Sequence, residues 1–120
     1  IKPVADVERI LEIQSNVRKV HLDEAVAQYL VTITRLTRNH KSILLGASPR
    51  ATLALMNASK AYAYLQERDY VIPDDIKALT PYVLGHRLLL HTEARLNGET
   101  VESILQNVLQ QVTVPVRLER

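Results

Sequence analysis

The sequence predicts an all-α domain, a compact bundle of about five or six helices with room for one or two very short strands. Three observations carry that prediction. Apolar residues recur at alternating steps of three and four along several stretches, the spacing that puts them on one face of a helix. Turn formers are scarce, with three glycines and five prolines in 120 residues. Leu, Ala, Val, Glu and Arg are abundant instead, which suits helices and not a sandwich or barrel. At 47% hydrophobic content the chain reads as one domain over residues 1–120, long enough to bury a core without disulfides or metal. Phe and Trp are absent, so that core is aliphatic, with tyrosine its only aromatic.

Taken in order, Asp6 can cap a short first helix over Val7, Ile10 and Leu11 that ends around Ser15 and Asn16. Leu22, Val26, Tyr29, Ile33 and Leu36 mark the buried face of a second. Asp23 and Glu24 fall in its positive first turn, and Arg35, Arg38 and Lys41 lie at the opposite end. Ile43, Leu44 and Leu45 form a short apolar approach to a turn at Gly46, with the character of a buried extended segment. The third helix begins at Pro49 and is expected to bury Ala51, Leu55, Ala58, Tyr62 and Leu65, ending near Arg68 and Asp69. Tyr70, Val71 and Ile72 are β-prone, and Pro73 then opens a helix carrying Asp74 and Asp75 in its first turn. Pro81 is expected to restart that helix, because it has no N–H to donate within a continuous one. Leu88, Leu89 and Leu90 fit either a buried helix end or a short strand. After a turn at Asn97-Gly98, Thr100 caps a last helix over Val101, Leu105, Val108 and Val112, stopped before Pro115.

Several chemistries are excluded at once. Without cysteine there is no thiol catalysis, zinc-thiolate site or disulfide, which fits a reducing compartment. A formal charge of +2 is too weak to argue for nucleic-acid binding. No apolar run reaches membrane-spanning length and no signal peptide opens the chain, so a soluble, cytoplasmic protein is expected. No P-loop is present, so the chain cannot bind and hydrolyse a nucleotide alone by that route. His21, His40, His86 and His91 lack the spacing of a metal set, and none is expected. Asp74 and Asp75 are adjacent in a first turn and do not face one another, so they are read as charges complementing the helix dipole. His86-Arg87 either brackets a domain or subunit contact or forms a partly buried anchoring pair, the second being favoured. Tyr62 and Tyr64 are read as packing residues, not base-stacking ones.

The stretch Gly46-Ala47-Ser48-Pro49-Arg50-Ala51 stands apart. Ser48 is a preferred N-cap, Pro49 has its φ preset for the first helical position, and Gly46 lets the chain approach another surface closely. Arg50 then sits at the second helical position. Ala51 occupies the place where a Glu or Gln would complete a capping box, so the cap rests on the Ser48 hydroxyl alone. An arginine there opposes the helix dipole slightly and has no local reason to be present. A bound anion would supply one, since first-turn amides and a guanidinium together make a phosphate site; a solvated side chain is the plainer alternative.

The run Leu45 to Ala51 resembles the sensor 2 motif of the MoxR family of AAA+ ATPases. Val17 to Leu22 is similar to the family's segment before its long lid helix, and Arg68 to Ala78 to its later helix start. Pro81, Leu84, His86, Arg87 and Leu88 match the stretch that commonly holds a His-Arg pair, and the ending through Val112, Val114 and Pro115 is also similar. The likeness covers nearly the whole chain, with departures at Gly85, where a helix former is expected, and in the Asn39–Ser42 loop.

This resemblance implies an AAA+ C-terminal helical lid, with the Walker motifs, sensor 1 and the arginine finger on a larger domain. Ile1 in place of a methionine fits a piece of such an ATPase. Arg50 would be the sensor 2 arginine contacting the γ-phosphate of ATP, with Gly46, Ala47, Ser48 and Pro49 positioning it and lining the nucleotide. ATP and Mg would be held mainly by the larger domain, leaving this piece inactive alone. A hexamer that remodels or matures client proteins, with a von Willebrand factor A domain partner, is further implied. The competing reading is a free-standing helical interaction module with no nucleotide role.

Overall fold

Asp6 caps α1 (Val7–Arg18), its carboxylate accepting from the Arg9 amide at 2.9 Å. The computed structural model describes residues 6–115, so Ile1 and the expectation resting on it lie outside the described residues. α1 runs two residues past Asn16, and none of its side chains is fully buried. In α2 (Glu24–Arg38), Asp23 is the cap and not a first-turn residue, because its carboxylate turns back to the Ala25 amide at 3.1 Å. Val26, Tyr29, Leu30 and Ile33 bury the expected face, joined by Thr34 and Thr37, while Leu22 and Leu36 are half-buried.

The open readings around the short apolar runs resolve differently from one another. β1 (Ile43–Leu45) pairs antiparallel with β2 (Leu89–Leu90), Ile43 opposite Leu90 and Leu45 opposite Leu89, with one irregularity between the rungs. Tyr70–Ile72 forms no strand. In its place stands an isolated parallel bridge between His21 and Tyr70, through His21 N–H to the Asp69 carbonyl (2.8 Å) and Val71 N–H to the His21 carbonyl (2.9 Å).

α3 (Pro49–Leu65) departs from the expected stripe. Ala51, Leu55, Ser59 and Ala63 are buried, in steps of four, whereas Ala58 and Tyr62 are half-buried and Leu65 is 73% exposed. Three of the four buried residues are small. They form an i+4 ridge on a helix that packs on α1, α2 and above all α4, where close approach of helices outweighs the hydrophobicity of any one side chain. The helix also stops earlier than Arg68. Glu67 adopts a left-handed conformation (φ 64°), and the Arg68 amide reaches back to the Ala63 carbonyl while that of Glu67 reaches Tyr64, both at 2.9 Å. This is a Schellman stop with glutamate where glycine is usual.

α4 (Pro73–Leu84) runs through Pro81 without restarting, contrary to expectation. One backbone hydrogen bond is forgone at Pro81. Ile76, Thr80 and Leu84 are completely buried on either side of it, in a helix packed on α3 and α6, and the Thr80 hydroxyl donates to the Ile76 carbonyl at 2.6 Å. Tertiary packing therefore carries the helix past a residue that local propensity disfavours by about 3 kcal/mol. Asp75 does more than complement the dipole. Its buried carboxylate accepts two bonds from Arg68, each 2.7 Å, and one from the Ile72 amide at 2.9 Å, joining the end of α3 to the start of α4. Those hydrogen bonds hold the Arg68 guanidinium above its usual pKa.

A single 3₁₀ turn (Gly85–Arg87) leads into β2, followed by the five-residue α5 (Thr92–Leu96), which periodicity had not marked, and α6 (Val101–Gln111). Thr100 caps α6 reciprocally with Ser103, and Gly98 makes its turn with φ 87°. Six α-helices and two short strands thus make up the described residues, as the all-α prediction requires. Ile33, Leu55, Ile76, Leu84, Leu105 and Val108 close the core where α2, α3, α4 and α6 meet.

Candidate functional site

The Gly46–Ala51 stretch folds as its residue types dictate. Ser48 is the N-cap of α3, its hydroxyl accepting from the Ala51 amide at 3.1 Å, and its carbonyl accepts from Thr52 N–H at 2.9 Å. Pro49 and Arg50 follow at the first and second helical positions, both exposed, while Ala51 is fully buried. Arg50 shares its exposed ridge with Leu53 and Asn57, and its guanidinium pairs with none of the described residues. Pro49 has no N–H, and the Ala51 and Thr52 amides are both taken up by Ser48, so the Arg50 amide and guanidinium are the first-turn donors left for a phosphate.

The surface that Gly46 approaches is the last turn of α2. A Cβ at Gly46 would lie 2.5 Å from the Thr37 carbonyl oxygen and 2.7 Å from the Arg38 Cα. Next to it, buried Ala47 is held at both polar groups: its amide donates to the Thr37 hydroxyl at 2.9 Å, and its carbonyl accepts from Arg38 Nε at 2.6 Å. Sequence reasoning passed over Thr37 and noted Arg38 only for its charge. The available signal was a threonine four residues after Ile33, a polar residue on the buried face just before the loop.

Exposed leucines flank the stretch. Leu44 and Leu45 of β1 are 61% and 59% exposed, and Leu89 of β2 is 48% exposed. His86 and Arg87 are not a partly buried anchoring pair: both sit exposed on the 3₁₀ turn, because Leu84 and Leu88 on either side take the buried positions. Gly85 is helical (φ −55°, ψ −42°), so the missing side chain leaves the backbone course unaltered. Tyr62 and Tyr64 are half-buried, and the Tyr64 hydroxyl lies 3.5 Å from Asn16 Nδ2. Among the described residues, no three His, Asp or Glu side chains gather as a metal set, and no helix is long and apolar enough to cross a membrane.

The helical bundle, the two-stranded connection and the capped α3 start together define an AAA+ lid, and the chain belongs to the AAA lid domain family, whose model matches residues 35–108. Its relatives within that family include MoxR proteins. The chain is 35% identical over 124 residues to the chaperone MoxR1 of Mycobacterium tuberculosis, covering 96% of this chain and 32% of that protein. It is 44% identical over 117 residues to the uncharacterized protein YeaC of Bacillus subtilis, covering 98% and 37%. A crystal structure of a Cytophaga hutchinsonii protein assigned as an ATPase superposes with a TM-score of 0.85 at 32% identity, over 91% of this chain and 36% of the other. The chain thus spans about a third of the length of the relatives it matches.

Proposed function

We propose that this domain is the lid of a MoxR-type AAA+ ATPase and that Arg50 contacts, as the sensor 2 arginine, the γ-phosphate of ATP held on a separate nucleotide-binding domain. One observation carries the reading: an exposed arginine without a partner among the described residues, at the second position of a helix whose start is fixed on α2. Gly46, Ala47, Ser48 and Pro49 would set that position and border the nucleotide. Exposed Leu44, Leu45 and Leu89 beside them would offer an apolar contact to the nucleotide-binding domain. ATP chemistry and the magnesium ion would belong mainly to that domain. By analogy with the family, lid movement would couple hydrolysis in a hexamer to remodelling or maturation of client proteins, with von Willebrand factor A domain proteins as partners. The name of the M. tuberculosis relative, a chaperone, agrees with such a role.

The test is Arg50→Ala in the full-length ATPase. A charge-assisted contact is worth about 1.5–3 kcal/mol, so turnover should fall about 10- to 150-fold while the protein stays folded. Wild-type turnover in the folded variant would refute the assignment and favour an interaction module that uses the exposed leucines without a nucleotide.

A further inference from the structure

Ala47 is 1% exposed, and the last turn of α2 engages both its N–H and its C=O. On one side of it Gly46 touches the Thr37 carbonyl region too closely for any side chain, and on the other Ser48 caps α3. Gly46, Ala47 and Ser48, the three residues between β1 and α3, are therefore held against the last turn of α2 with little conformational freedom. Thr37 is completely buried. Its hydroxyl donates to the Thr34 carbonyl at 2.6 Å, which orients the oxygen lone pairs offered to the Ala47 amide. A valine would fill the same space. What the hydroxyl adds is an acceptor for an amide that would otherwise be buried without one.

From this geometry we infer that Thr37, assisted by Arg38, is a positioning residue for Arg50. The two side chains fix Ala47, Ala47 fixes the cap at Ser48, and the cap fixes the first turn that carries Arg50. Because the Arg50 side chain has no partner of its own among the described residues, the place of its backbone sets where the guanidinium can reach. A shift of about 1 Å at a positioned group is enough to cost a large factor in rate. The inference rests on the proposal that Arg50 meets a phosphate, and it adds residues from a different helix to that site.

A double-mutant cycle in the full-length ATPase tests it, reading kcat and KM for ATP. Thr37→Val should lower kcat about 5- to 10-fold, and Thr37→Ser, which keeps the hydroxyl, should restore it to within about twofold of wild type. In an Arg50→Ala background, Thr37→Val should change kcat by less than about twofold, since there is no longer a guanidinium to misplace. A loss of the same factor in both backgrounds would overturn the inference, showing that Thr37 serves stability alone. Arg38→Met, at an exposed side chain, provides the same comparison should Thr37→Val fold poorly: a loss of kcat confined to the Arg50 background supports the positioning role, and one independent of Arg50 overturns it. Wild-type turnover in Arg50→Ala would instead overturn the phosphate reading, and this inference with it.

Discussion

Replacing Gly46 with alanine would place a methyl carbon 2.5 Å from the Thr37 carbonyl oxygen, 2.6 Å from its carbonyl carbon and 2.7 Å from the Arg38 Cα. All three are backbone atoms of a helix end, so no side-chain rotation relieves the overlap. Ordinary contact lies near 3.5 Å, and the two segments must therefore separate by about 1 Å. Adding that to the 2.9 Å between Ala47 N and Thr37 Oγ1 takes the pair outside hydrogen-bonding range. Overpacking costs about 1–3 kcal/mol and a buried amide left without its acceptor about as much again, giving about 2–6 kcal/mol in all. For a domain of this size, at about 4 °C per kcal/mol, that is a fall in Tm of about 8–24 °C. Gly85→Ala is the control: its Cβ would meet only Val101 Cγ1, at 4.0 Å, in a helical conformation, and should stabilise by about 0.5–1 kcal/mol. Urea unfolding followed by circular dichroism compares the two. A Gly46→Ala variant within about 0.5 kcal/mol of wild type would refute the idea that close approach fixes this loop.

Two further predictions concern stability. Glu67 holds a left-handed conformation at an exposed helix stop, so Glu67→Gly should raise the unfolding free energy by about 1 kcal/mol; a neutral or destabilising result in denaturant titration would contradict the strain. The Tyr29 hydroxyl is buried with no hydrogen-bond partner among the described residues, and burial, followed by the charge of Asp74, raises its pKa above 10.0. Tyr29→Phe should therefore stabilise by up to about 1 kcal/mol at neutral pH. Because the folded state holds the phenolic proton more tightly than the unfolded one, this group's contribution is fully present below about pH 10 and is lost as pH rises through the folded value. The variant should lose less stability than wild type between about pH 8 and pH 10.5, and equal losses would count against the burial effect.

Helix starts were the most legible features of the sequence, because capping is local chemistry: Asp6, Ser48 and Thr100 each cap where their side chains and spacing predict. The α2 face was legible for the same reason that its apolar residues are large and regularly spaced. The α3 face was not. Its seam is built from Ala51, Ser59 and Ala63, residues chosen for size, which a hydrophobic pattern does not weight. Pro81 misled because its cost is local whereas the compensation, burial of Thr80 and Leu84 against other helices, is not. Of the candidate site, the capped arginine was readable and its support was not. Thr37 and Ala47 are ten residues apart, and nothing short of the fold brings them together.

α1 has a mechanical consequence. Its C-terminal half packs on α3, with half-buried Ile13, Asn16 and Val17 and the Asn16–Tyr64 contact, and then joins the bundle at Val20 and His21, whereas Val7, Ile10 and Leu11 at the other end are each about half exposed or more. That junction is held by the two backbone hydrogen bonds of the His21–Tyr70 bridge. Twelve residues at about 1.5 Å each make a lever arm of about 18 Å. A tilt of about 15° at its fulcrum, which would have to open the contact with α3, would carry Val7 through about 5 Å, amplifying a small rotation into a displacement larger than a side-chain contact.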